Sequence, residues 1–322
     1  MKLAILLTED HRLLSVAAMV DVFETVNRFY EEEGKEPPFT VNLLCLPGCE
    51  QEQSYPGYTP LAADINDSQD IIFIPAFKNE QISRSVTENG PWISWLQSQY
   101  KNGAAIASYC TGAFLLAATG LLNGRPATTH INAWLAFSKL FPEVQVHEEA
   151  VVTEKDRLYT SGGATNSFHL MMLLLEKYCD RKTAVRAAKI FSVDMDRNRQ
   201  LYFGSFYPDE HHNDELVKQA QYEIKKKYNT ATTIEELISD VPASRRNLVR
   251  RFKQATGITP IEYLQKTRIE AAKNLLENSG YSITEVMMES GYNDVKSFRS
   301  LFKKNVGMTP KMYRDKFSGQ MV

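Results

Sequence analysis

Short apolar runs punctuate the first third of the chain: KLAILLT (residues 2–8), FTVNLLCL (39–46), DIIFIPA (70–76) and GAAIASY (103–109). Each is too short for a buried helix and apolar at successive positions, which is the pattern of a strand covered on both faces. Between them lie longer stretches with helical spacing, such as LLSVAAMVDVFETVNRFYEEE (13–33). This alternation predicts an α/β domain, a mainly parallel sheet covered by helices. VVTEKDRLYTSGGATNSFHLMMLLLEKY (151–178) adds a hairpin-like pair and a helix, carrying the first domain over residues 1–182. Residues 183–214 read as a linker helix and loop ending in the polar YPDEHHND, where His211 and His212 are expected at the solvated surface.

Beyond residue 214 the period changes and the chain repeats itself. Setting LVRRFKQATGITPIEY (248–263) over FRSLFKKNVGMTPKMY (298–313) matches Phe252 with Phe302, Lys253 with Lys303, Gly257 with Gly307, Thr259 with Thr309, Pro260 with Pro310 and Tyr263 with Tyr313. Two copies are too few for a solenoid and fit a pair of helix-turn-helix modules in an all-α domain over residues 215–322. In each, a short helix leads through a turn to a second helix, capped by Ser244 and closed by Gly257 in the first copy, capped by Asp294 and closed by Gly307 in the second. The stretch between the copies, with Ile261, Leu264, Ile269, Ala272, Leu275 and Leu276 at helical spacing, reads as a rigid connecting helix. Leu248, Phe252, Phe298 and Phe302 are expected inward. Ser244, Arg245, Arg246, Asn247 and Arg250 of one module, and Lys296, Ser297, Arg299 and Lys303 of the other, are expected outward, where such side chains suit base edges and phosphates.

Charge strengthens this reading. The formal net charge is −2, yet residues 214–322 hold nineteen Lys and Arg against thirteen Asp and Glu, leaving the remainder acidic. A basic second domain points to a polyanionic partner, double-stranded DNA above all. No apolar run approaches the roughly 20 residues of a membrane span, so a cytoplasmic protein without membrane contact is expected. Cysteines 45, 49, 110 and 179 are too few and too irregular for a disulfide framework, and no second Cys or His pair stands near Cys45 and Cys49 at finger-like spacing. Neither a metal nor a cofactor is expected.

The pattern RRFKQATGITPIEYLQKTRIEAAKNLL…GYNDVKSFRSLFKKNVGMTPKMYR resembles the DNA-binding domain of the AraC/XylS family of transcriptional regulators. That resemblance implies seven helices and two recognition helices entering successive major grooves.

The stretch ASYCTGAFLLAATGLLNGRPATTHINAW (107–134) resembles the ThiJ/PfpI superfamily, a flavodoxin-like, class I glutamine amidotransferase-like fold. There the cysteine, here Cys110, sits in a strained strand-to-helix elbow beneath a helix N-terminus that favours a thiolate. The supporting groups depart from the superfamily pattern. Thr111 replaces the histidine that peptidases carry, Ser15 stands where hydratase-like relatives have an aspartate, and Ala76 and Phe77 replace a glycine pair whose N–H groups reach an oxyanion. His169 occupies a usually acidic position, and His130 is left as the candidate base.

Cys110 and His130 are therefore expected to be vestigial as catalysts, and Ser15, Ala76, Phe77, Cys110, Thr111 and His130 to line an effector pocket. The resemblance implies a DNA-binding transcriptional regulator, an activator, that homodimerises through this domain and senses an amino acid or amine-like molecule. The alternative is a Cys-dependent hydratase or hydrolase fused to a DNA-binding domain.

Overall fold

The structure, a computed structural model, describes residues 1–48, 55, 57–78, 81–163, 165–195, 206, 212–230, 233–238 and 241–318. Cys49, His211 and most of the expected connector loop lie outside them. The chain divides into two compact units, Met1–Gln200 and Leu201–Val322.

The first unit is built on β1 (Lys2–Leu6), α1 (Leu13–Glu32), β2 (Thr40–Cys45), β3 (Leu61–Ala62), β4 (Ile71–Ile74), α2 (Ile82–Glu88), α3 (Pro91–Lys101), β5 (Ala105–Tyr109), a short 3-10 turn at Cys110–Gly112 and α4 (Ala113–Ala118). It continues with β6 (Pro126–Ala127), α5 (Trp134–Leu140), β7 (Gln145–Val146), β8 (Val152–Lys155), β9 (Leu158–Ser161), α6 (Asn166–Tyr178) and α7 (Arg181–Ile190). The main sheet runs β3-β2-β1-β4-β5-β9-β8, parallel throughout except for the β8–β9 hairpin. That hairpin turns on Asp156 and Arg157, both at positive φ (50° and 62°), the conformation a two-residue primed turn needs.

Successive strand residues face opposite sides, and this explains the unbroken apolar runs. Leu3, Ile5, Ile71 and Phe73 pack under α1, α6 and α7 with Met19, Phe23, Leu170 and Ala184. Ala4, Leu6, Ile72, Ile74 and Ile106 pack on the other face with Trp92, Leu96, Phe114 and Phe137. Helix α7, which falls largely in the expected linker, packs on α6 and α1 within the first unit.

The second unit comprises α8 (Glu215–Lys227), α9 (Ile234–Ile238), α10 (Arg245–Thr256), α11 (Pro260–Asn278), α12 (Ile283–Glu289), α13 (Val295–Val306) and α14 (Pro310–Phe317). The caps fall where the residue types place them. Ser244 Oγ accepts from Asn247 N, Asp294 accepts from Ser297 N at 2.7 Å, and Gly257 and Gly307 close their helices at φ 84°. Leu248, Phe252, Phe298 and Phe302 are fully buried. The repeat is a packing repeat: Phe252 meets Tyr263 edge-on at 5.3 Å and Phe302 meets Tyr313 edge-on at 5.6 Å. The connecting helix α11 exists as expected, but Ile261 is 51% exposed instead of inward, whereas Pro260, Tyr263 and Leu264 on either side of it are buried.

Candidate functional site

The first site gathers at the carboxyl ends of β1, β4 and β5. In this sheet the chain order reverses between β1 and β4, and such switch points open the crevice where α/β domains take ligands. β5 runs straight into the elbow. Cys110 adopts φ 53°, a strained left-handed conformation for a side-chain-bearing residue, and is 6% exposed. Gly112 permits the elbow to close onto β4: a Cβ there would lie 2.5 Å from the Pro75 carbonyl oxygen and 2.8 Å from that of Ile74. Thr129 Oγ1 donates to the Cys110 carbonyl at 2.8 Å and fixes the turn from the other side.

Of the six residues expected to line an effector pocket, four join in one hydrogen-bonded arrangement. Ala76 N donates to Ser15 Oγ at 3.3 Å, and Phe77 N donates to Thr111 Oγ1 at 2.8 Å. Ser15 Oγ in turn donates to the Arg12 carbonyl at 2.7 Å. The two backbone N–H groups at the oxyanion positions are thus already satisfied by hydroxyls of the chain itself. An oxyanion hole works by aiming free, preorganised donors at developing charge, and these donors have acceptors before any substrate arrives.

The thiol is equally unprepared for attack. Burial pushes Cys110 up to about 11, outweighing the hydrogen bonding of Thr111 and the positive charge of Arg12, which act in the other direction. At this depth the elbow does not favour a thiolate: desolvation of the anion exceeds what the turn returns. His130 is half-buried, and burial followed by the Arg12 charge lowers its pKa. Its Nδ1 accepts from Asn132 N at 3.2 Å, so the neutral ring carries its proton on Nε2, beside Gly163. In that tautomer the Nδ1 lone pair is taken up by Asn132 N and Nε2 carries the proton, so the ring as it stands offers no lone pair for a thiol proton.

Sequence reasoning missed Arg12, which holds the site together. Its main-chain N donates to Ala76 O at 2.7 Å and its Nε to Phe77 O at 3.1 Å, stitching the turn after β1 to the turn after β4. The only signal was its position, three residues before Ser15 at the start of an amphipathic helix. His169, in the position where relatives are acidic, lies in α6 and meets the Asp194 carbonyl at 2.8 Å through Nε2.

The second site is the outer face of α10 and α13. Ser244, Arg245, Arg246, Arg250, Lys296, Ser297, Arg299 and Lys303 are exposed, and Asn247 is half-buried with its Oδ1 accepting from Arg250 at 3.2 Å. Arg251, on the inner side of α10, is turned to Asp214. His212 is buried, not solvated. Its Nδ1 accepts from Asp214 N at 3.3 Å, so Nε2 donates to Gln221 Oε1 at 3.0 Å, tying the end of the connector to α8.

Comparison with known proteins agrees with both halves of this geometry. Residues 60–177 match the DJ-1/PfpI family and residues 238–316 match a helix-turn-helix domain. The chain joins a DJ-1/PfpI domain to an AraC-type helix-turn-helix domain. The HTH-type transcriptional regulator GbdR of Pseudomonas aeruginosa is 27% identical over 242 residues, 74% of this chain and 64% of that protein. The HTH-type transcriptional regulator CdhR of the same species is 28% identical over 226 residues, 69% of this chain and 66% of that protein. The matched region thus spans slightly less than two thirds of either relative. A solved Vibrio parahaemolyticus protein described as a transcriptional regulator superposes with a TM-score of 0.50 at 20% identity, over 59% of this chain and 98% of its own, a likeness of fold. Among the described residues of this two-part regulator-like chain, no helix is long and apolar enough to cross a membrane.

Proposed function

We propose that the chain is a sequence-specific, DNA-binding transcriptional regulator of the cytoplasm, an activator, whose DJ-1/PfpI domain senses a small molecule and pairs two copies of the chain. The observation that carries this reading is an elbow closed to chemistry in the same chain as two capped helix-turn-helix modules. The hydratase or hydrolase alternative needs free oxyanion donors and a reactive thiol, and here Ser15 and Thr111 hold the donors while burial protonates the thiol. Named regulators among the relatives support the same side.

The outward side chains of α10 and α13 then read base edges and hold phosphates, and effector binding shifts the chain between states that engage DNA unequally. The test is selection of bound duplexes from a random-sequence pool with the full chain, followed by binding measurements across a salt series. Enrichment of one sequence, with an affinity that falls steeply as salt rises, is the expected result. A pool that stays random after selection overturns the proposal.

A further inference from the structure

Arg12 carries more than the turn it stitches. With its main-chain N and its Nε spent on Ala76 and Phe77, the guanidinium is pinned across the switch point between β1 and β4. The side chain is exposed, and no carboxylate among the described residues forms an ion pair with it. Across the site, the thiol of Cys110 and the ring of His130 are both neutral at pH 7 and supply no counter-charge. Arg12 is the charged group that acts on both of them. Among the described residues, the charge that this site presents is therefore a planar guanidinium, held in place through Phe77 and in no ion pair.

We propose that Arg12 is the specificity-determining residue of the effector site and that the effector bears a carboxylate, which the terminal nitrogens of the guanidinium receive. This rests on the sensor reading above and narrows it: an amine or polyamine lacking an acid group meets only like charge here. A guanidinium fixed through Nε presents its remaining donors as a fork that matches the two oxygens of a carboxylate, whereas a freely rotating ammonium would not. One guanidinium balances one monoanionic carboxylate and leaves a phosphate dianion half-compensated. Any cationic end of an amino acid effector must then lie away from Arg12.

The test uses the full chain. Thermal shift and titration calorimetry are run with L-amino acids and short aliphatic and aromatic monocarboxylates, each paired with its primary amide, together with inorganic phosphate and polyamines. The expected result is that at least one carboxylate raises the melting temperature and that its amide binds roughly 10- to 100-fold more weakly, the range for losing hydrogen bonds to a charged group. Arg12→Gln is expected to show the same loss, and Arg12→Lys to recover part of it, with both unliganded variants melting within a few degrees of the parent. A carboxylate that binds as well as its amide, or equally well to Arg12→Gln, overturns the inference and leaves the sensor reading standing. Binding of phosphate or polyamines without any carboxylate does the same. A panel in which nothing binds removes both.

Discussion

Asp214 clamps Arg251 with two hydrogen bonds of 2.8 Å, Nε to Oδ2 and Nη2 to Oδ1, while Oδ1 also caps α8 by accepting from Val217 N at 3.2 Å. One carboxylate thus joins the N-cap of α8, the leading helix of the second unit, to α10, whose other side presents Arg245, Arg246 and Arg250. Asp214→Ala is expected to lose the cap, worth about 1 kcal/mol, and to loosen α10. Urea denaturation of the parent, Asp214→Ala, Arg251→Ala and the double variant measures this, and the double variant should lose less than the sum of the singles. The Arg251 guanidinium holds the Asp214 carboxyl below its usual range. The stabilisation is accordingly complete above the unfolded value of about 3.9 and disappears as pH falls through the lower folded value. Between pH 5 and 8 the gap between parent and Asp214→Asn should therefore stay constant.

Gly112→Ala places a methyl group 2.5 Å from a backbone oxygen that cannot swing aside. The first unit should lose about 2 kcal/mol, the middle of the range for overpacking, and the second unit's transition should be unaffected. Denaturation followed separately through Trp92, Trp95 and Trp134, all in the first unit, and through far-ultraviolet helix content distinguishes the two.

Cys110 should be nearly inert to iodoacetamide at pH 7. With its pKa pushed up to about 11, the thiolate fraction at neutral pH is on the order of 10⁻⁴, against a few per cent for a free thiol. Peptide mapping after limited alkylation should therefore find the label elsewhere first. Rapid, selective labelling of Cys110 would restore the hydratase or hydrolase alternative.

Acid should weaken the first unit through two histidines. Burial lowers the pKa of His11, whose Nε2 accepts from Tyr55 and whose Nδ1 donates to Thr8 O at 2.5 Å, and burial lowers that of His130. For a histidine with a depressed folded pKa, the stabilisation is present above the unfolded value of about 6.5 and is lost as pH falls through the folded one. The melting temperature of this unit should drop between pH 7 and pH 5, and His130→Gln should flatten part of that slope.

Arg299→Ala should weaken binding to the selected duplex roughly 10-fold and relax the preference at one base pair, the behaviour of a base-edge contact. Lys303→Ala should lower affinity evenly across sequences and reduce the salt slope by about one. Binding curves on the selected site and on single-base variants separate the two outcomes.

What was legible along the chain was local. Consecutive apolar residues foretold β1, β2, β4 and β5, and Ser244, Gly257, Asp294 and Gly307 foretold the ends of α10 and α13, because caps and periodicity act within a few residues. The satisfied donors were not legible. Ser15 and Ala76 are 61 positions apart, and no spacing rule says that a serine hydroxyl will meet that particular N–H. The thiol's lack of reactivity was expected from its missing partners, but not for the reason the structure gives: an elbow is visible in CTG, while the depth of burial that raises the pKa of Cys110 is set by layers drawn from the whole domain. His212 was misread because polarity in a connector says nothing of a partner such as Gln221 in the next helix.

The buried aromatics match between the two modules, Phe252 with Phe302 and Tyr263 with Tyr313, while the outward positions that open the second helix differ: Arg245, Arg246 and Asn247 stand opposite Val295, Lys296 and Ser297, although Lys253 and Lys303 further along match. The same scaffold has been kept twice under two unlike faces. If the two faces read DNA as proposed, a single copy of this chain has a leading and a trailing end on its site, and turning the duplex sequence around exchanges what each end must read. On the proposed regulator reading, orientation along the DNA is then written into one copy of the chain, before any pairing.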